Sequence, residues 1–195
     1  MVNYPNGMKK NISQPVSALK QDTRHRGYSL EQDLNESNEY YLTFDKAVIH
    51  KKPTPIQIVK VDYPSRSSAK IIEAYFKIPS TTDYNGIYRG KYIDFEAKEI
   101  NKMSFPFQNI HPHQIEHLDK VSRHGGIAFI VMAFTKLSEV YLLRADYMIE
   151  KYNSSKKKSL SYEEISQNGY RIQYGFRPRL DYLKIVDEVF FKEEK

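Results

Sequence analysis

Thr81-Thr82-Asp83-Tyr84-Asn85-Gly86-Ile87-Tyr88-Arg89-Gly90-Lys91-Tyr92-Ile93-Asp94-Phe95-Glu96-Ala97-Lys98 is the stretch on which the fold turns. Its second half alternates: Tyr92, Asp94, Glu96 and Lys98 fall on one side of an extended chain, and Ile93, Phe95 and Ala97 on the other. That period of two marks a strand with one polar and one apolar face. If the chain reverses at Arg89-Gly90, a hairpin forms in which Asp83 stands opposite Glu96 and Thr81 opposite Lys98. Asn85-Gly86 is the better type I′ dipeptide, and a turn there would set Asp83 against Tyr88 instead. The later turn leaves both arms long enough to pair and makes Asn85-Gly86 a bulge; it is the preferred reading.

Opposed side chains in such a ladder have Cβ atoms roughly 5 Å apart. Two carboxylates at that spacing repel one another unless a positive charge lies between them, and a divalent cation meets that need. Mg²⁺ takes hard oxygen ligands and keeps several waters, so one or two carboxylates and a substrate phosphate make a site for it, with Mn²⁺ as a substitute. The expected chemistry is phosphodiester hydrolysis, with Asp83 and Glu96 on the metal and Lys98 holding the attacking water or offsetting charge on the phosphorus. Asp-x(n)-Glu-x-Lys is a loose pattern, and an ordinary surface hairpin with solvated charges is the plain alternative.

A chain of 195 residues can bury a continuous core, here expected as one domain over 29–195 preceded by a basic, unstructured arm over 1–28. Thirty Lys and Arg against 24 Asp and Glu give a net charge of +6, which with 16 Tyr and 10 Phe suits a phosphate-rich partner. The basic arm reads equally as a DNA clamp or a solvated tail. No Cys is present, which removes disulfides, thiolate catalysis and Cys-ligated zinc. No run reaches transmembrane length and the N-terminus lacks a signal-peptide core, so a cytoplasmic protein without a membrane partner is expected.

Along the chain, Ser29 caps a first helix running to about Tyr41, with Leu30, Leu34 and Tyr41 inward. Lys46 to His50 reads as a short strand and Ile56 to Tyr63 as a core strand, followed by an insertion from Pro64 to Lys77. Residues 51–77 carry Lys51, Lys52, Lys60, Arg66, Lys70 and Lys77 against Asp62 and Glu73. A positive arm tipped with aromatics suits branched DNA, where unstacked bases and converging phosphates meet. Arg66 and Lys70 are the candidates for phosphate and Tyr75 and Phe76 for the branch point, the alternative for both aromatics being core packing at the base of the arm. Asn101 to Ile110 reads as a loop, and a second helix starts near His111-Pro112 and stops before Gly125-Gly126. His113 and His117 have the spacing of zinc ligands, but without Cys or a His-Glu-x-x-His string they read as surface or DNA-facing histidines. Gly126 to Phe134 reads as a buried strand with Glu139 to Leu143 beside it; helices follow at Ala145–Tyr152, around Tyr162–Ser166 and at Leu180–Phe191.

Asp83 with Glu96-Ala97-Lys98 resembles the P-D…(D/E)-x-K signature of restriction-endonuclease-like nucleases, with Thr82 in place of the proline. Longer strings resemble the RecU family of Holliday junction resolvases more specifically. They are His50-Lys51-Lys52-Pro53-Thr54-Pro55, Ser80 to Tyr88, Tyr92 to Glu99, Ser104-Phe105-Pro106-Phe107-Gln108-Asn109 and His113-Gln114-Ile115-Glu116-His117. The resemblance implies an α/β fold, a central mixed sheet flanked by helices, with a stalk at about 53–80 that enters the open centre of a four-way junction. It also implies Thr81 and Gln114 beside the metal, a homodimer, and a location at the nucleoid. A recombinase filament or branch-migration helicase is a further partner to consider. Related nucleases bring a helix carboxylate to the metal, for which Glu36 and Glu31 are indistinguishable here. A nuclease for other DNA structures and a non-catalytic branched-DNA binder that modulates recombinase filaments are the competing functions.

Overall fold

The computed structural model describes residues 29–77, 81–154 and 156–191; the expected basic arm over 1–28 lies outside them. Its centre is a six-stranded sheet in the order β1-β4-β5-β7-β8-β10, built from β1 (Val48–Lys51), β4 (Tyr84–Tyr88), β5 (Lys91–Ile100), β7 (Ile127–Phe134), β8 (Glu139–Arg144) and β10 (Tyr170–Ile172). Only β5 and β7 run parallel. Their crossover carries α2 (Pro112–Arg123), so the expected mixed sheet with flanking helices is what the chain forms.

The apolar run of β7 is buried at every position because its alternate residues serve two cores. Ile127, Phe129 and Val131 pack with α1 (Leu30–Thr43) and α5 (Tyr182–Phe190), against Leu30, Leu34, Tyr41, Tyr182, Leu183 and Val186. Ala128, Ile130 and Met132 face α2, α3 (Ala145–Ser154) and α4 (Tyr162–Asn168), against Ile115, Leu118, Met148 and Ile165. In-register neighbours Tyr84, Phe95 and Phe129 stack across three strands, with centroids 4.8 and 4.7 Å apart. This aromatic ladder fixes the apolar face of β5 to the first core. The polar face therefore turns toward α2, where Asp94 lies beside Ala128 and Glu96 beside Ile130.

Four readings change. Gly86 is no bulge: it pairs regularly with Ile93 and with Ile49, and a Cβ there would lie 2.0 Å from the Val48 carbonyl oxygen, so β1 requires a glycine at this crossing. Ile56 to Asp62 is not a core strand. As β2 it pairs only with β3 (Lys70–Phe76), and both strands are exposed along their whole length, forming a stalk separate from the main sheet. The aromatics Tyr75 and Phe76 belong to its base, where Phe76 pairs with Ile56, and the tip is the turn that contains Arg66. The 101–110 segment is not all loop, since β6 (Ser104–Pro106) pairs with β9 (Ser159–Ser161) and a 3-10 turn follows at Phe107–Asn109. Among the described residues no helix is long and apolar enough to cross a membrane.

Candidate active site

β4 and β5 are joined at Arg89-Gly90, both with positive φ (48° and 75°), the backbone of a type I′ turn. The ladder runs from Tyr88↔Lys91 to Tyr84↔Phe95, and one further step in that register brings Asp83 level with Glu96. Asp83 is half-buried, and its Oδ2 accepts the Ala97 N–H at 3.2 Å. Glu96 is only 1% exposed. Its Oε1 lies 2.7 Å from Lys98 Nζ, while its Oε2 is buried and meets no donor among the described residues. Burial pushes the Glu96 carboxyl up to about 7; the neighbouring Asp83 carboxylate adds to the rise and the Lys98 ammonium opposes it. Two acids on one face with a single ammonium beside them leave a deficit of positive charge in a poorly solvated place.

The donor set answers a hard divalent cation. Carboxylate oxygens from Asp83 and Glu96 suit Mg²⁺ or Mn²⁺, and the orphaned Glu96 Oε2 is an unused acceptor already stripped of water. A cleft of about 320 Å³ lined by Ser29, Glu31, Lys51, Asp83, Ala97 and Glu99 opens beside Asp83, on the face of β5 opposite Glu96. Thr81 lies half-buried two residues before Asp83. Gln114 is 5% exposed in the first turn of α2, but its Oε1 accepts the His111 N–H at 2.9 Å, so direct ligation by that oxygen would require release of the cap. The two helix acids separate: Glu31 lines the cleft with Asp83, whereas Glu36 turns away, 3.8 Å from Arg179 Nε.

The histidines of α2 do not form a zinc pair. His117 Nε2 is 3.0 Å from Asp94 Oδ2, and no cluster of three or more metal-binding side chains occurs among the described residues. His113 has a buried, unpartnered Nε2, and its pKa is lowered by burial first and then by the charges of His111 and Lys98. On the stalk, Arg66 sits in the tip turn and Lys70 begins β3 opposite Asp62. Tyr75 and Phe76 are 62% and 84% exposed, which removes the alternative of core packing.

Residue types alone did not reveal a second polar group beside the site. Asp94, fully buried, accepts Lys52 Nζ at 2.8 Å, Tyr92 OH at 2.7 Å and the Thr82 hydroxyl, in addition to His117. The one signal in the sequence was that Asp94 shares the polar face of β5 with Glu96 while having no assigned work.

A family model described as recombination protein U matches residues 25–188. Proteins named Holliday junction resolvase RecU from Bacillus thuringiensis (strain Al Hakam), Bacillus cereus (strain AH820) and Bacillus anthracis are each 55% identical, over 97% of this chain and 98% of theirs. Among solved structures, the Holliday junction resolvase Hjc of Archaeoglobus fulgidus is similar at a TM-score of 0.43 and 9% identity, over 71% of this chain and 94% of that one. With the match spanning most of the sequence, the chain belongs to the recombination protein U, or RecU, family.

Proposed function

We propose that this protein is an endonuclease that resolves four-way DNA junctions in recombination and repair by metal-dependent phosphodiester hydrolysis. Near-complete coverage of the relatives named Holliday junction resolvase RecU supports the substrate class. The observation that carries the chemistry is the buried Glu96 carboxylate, with one oxygen lacking a donor, beside the Asp83 carboxylate. Asp83 and Glu96 hold Mg²⁺, and Thr81 and Gln114 complete or orient its surroundings. When bound, the ion polarises the phosphate and lowers the pKa of a water. Lys98, held on Glu96 at 2.7 Å, places an ammonium where negative charge grows on the phosphorus. The stalk, with Arg66 at its tip and Lys70, Tyr75 and Phe76 along β3, supplies phosphate and base contacts to the branch point. Two equivalent cuts call for two equivalent sites, so the working form is a two-fold homodimer in the cytoplasm.

Asp83→Asn tests the assignment on a synthetic four-way junction with Mg²⁺, Ca²⁺ or EDTA. Junction binding in Ca²⁺ is expected to stay within about twofold while cleavage falls at least about 100-fold, in the range of lost electrostatic catalysis. Cleavage at the wild-type rate would remove Asp83 from the site and leave a protein that binds branched DNA without cutting it.

A further inference from the structure

Lys52 follows β1 directly and precedes the stalk, while Thr81, Thr82 and Asp83 lie on the stalk's return to the core. The two roots are tied together. The Lys52 N–H donates to the Asp83 carbonyl at 2.7 Å, and Lys52 Nζ donates to Thr82 Oγ1 at 2.9 Å and to Asp94 Oδ2 at 2.8 Å. The Thr82 hydroxyl in turn donates to the other Asp94 oxygen. Asp94 is one strand step from Glu96 on the same face of β5. One ammonium, 18% exposed at its side chain, thus joins the Asp83 segment to the Glu96 strand.

From this we infer that Lys52 is a positioning residue of the metal site, a clamp that keeps Asp83 in register with Glu96. Asp83 precedes the first ladder pair of β4 and, among the described residues, is tied to β5 only through its own side chain, whose Oδ2 accepts the Ala97 N–H at 3.2 Å. With both carboxylates deprotonated and no cation between them, their repulsion would push the 81–83 segment away from β5. Lys52 opposes that parting at two points, through the Asp83 carbonyl and through Thr82 and Asp94. A purely architectural ion pair is the rival account, and buried ion pairs are weak evidence for stability in themselves. The two accounts differ in what Lys52→Met should do. Asp94 keeps Tyr92, His117 and Thr82 as donors, and the four-pair ladder of β1 with β4 is untouched. The fold is therefore expected to be retained, with the Lys52 N–H still on the Asp83 carbonyl, while the side-chain half of the clamp is lost and the carboxylates are held less firmly.

This inference rests on the metal-site reading above, and the experiment separates the two. Mg²⁺ binding to the full-length chain without DNA is measured by calorimetry, beside junction binding in Ca²⁺ and the Mg²⁺ dependence of junction cleavage. Lys52→Met is expected to raise the Mg²⁺ Kd and the half-activating Mg²⁺ concentration about 10-fold to 100-fold, the usual cost of losing a group that orients a metal ligand. Junction binding in Ca²⁺ should stay within about twofold, and excess Mg²⁺ should recover most of the cleavage. Thr82→Val, which keeps the Lys52–Asp94 pair, should shift Mg²⁺ affinity in the same direction by less, and it carries the test if Lys52→Met does not fold. An unchanged Mg²⁺ Kd in folded Lys52→Met, or in Thr82→Val where that variant carries the test, overturns the inference. So does an equal loss of junction binding and cleavage at an unaltered Mg²⁺ half-point. If instead the wild type binds no Mg²⁺ by calorimetry, or Asp83→Asn cleaves normally, the metal-site reading fails and the clamp falls with it.

Discussion

Glu96 carries a pH signature that separates it from the other acids of the molecule. Burial, then the Asp83 charge, raise its folded pKa to about 7 from an ordinary 4.5. A raised carboxyl pKa means that the folded chain holds the proton more tightly than the unfolded one. Its contribution to stability is fully present below about 4.5 and is lost as pH rises through about 7. On the proposed metal-site reading, a divalent cation would compete with the proton for this carboxylate. The rise in Tm on adding Mg²⁺ should therefore be larger at pH 8 than at pH 6 in the wild type. In Glu96→Gln both that difference and the Mg²⁺ effect should shrink, as followed by thermal melts. At this scale Asp83, Glu96 and Lys98 were legible because period and register depend on neighbours in sequence. The Asp94 group was not, since beside its strand neighbour Tyr92 its donors Lys52, Thr82 and His117 come from segments that only the folded chain brings together.

Among the elements, the β4–β5 hairpin depends on two glycines for different reasons. Gly90 has φ +75° and open space around it, so Gly90→Ala should cost about 1 kcal/mol of backbone strain and nothing in packing. At Gly86 an added Cβ meets the Val48 oxygen at 2.0 Å and Ile49 Cα at 2.6 Å, both backbone atoms that cannot rotate away. β1 must shift, and Gly86→Ala should cost about 2 kcal/mol or more, measured as a lower urea midpoint at unchanged m. An equal or smaller loss than Gly90→Ala would show that β1 yields easily. Turn chemistry favoured Asn85-Gly86 on dipeptide grounds, but pairing length favoured Arg89-Gly90, and the longer ladder won. The glycine at 86 owes its place to a neighbouring strand, which no local rule could report. The helices were easier to read: Ser29 accepts the Gln32 N–H as a cap, and the apolar spacing of Leu30, Leu34 and Tyr41 matches their burial.

For the whole molecule, the question is how the core, which carries the proposed metal site, and the exposed stalk would divide the recognition of DNA. The stalk exposes Ile58, Val59, Ile71, Ile72 and Phe76 on a two-stranded hairpin, which has no second layer to bury them. Sequence patterning mistook β2 for a core strand because apolar, β-branched residues signal burial whether the cover comes from the same chain or not. Over residues 51–77 the segment carries six basic residues against two acidic ones, so its contacts should be partly electrostatic and partly stacking. Salt separates these contributions. Each phosphate contact adds about 0.9 to the slope of log K against log salt, whereas stacking adds none. Arg66→Ala and Lys70→Ala should each lower that slope by about 1 for four-way junction binding. Phe76→Ala should weaken binding at every salt concentration, by about 1–3 kcal/mol per unstacked base, with the slope unchanged. All three should impair junction cleavage far more than binding of linear duplex, measured by titration at several salt concentrations. Equal losses on the two substrates would move junction recognition from the stalk to the core and favour a nuclease of broader DNA choice.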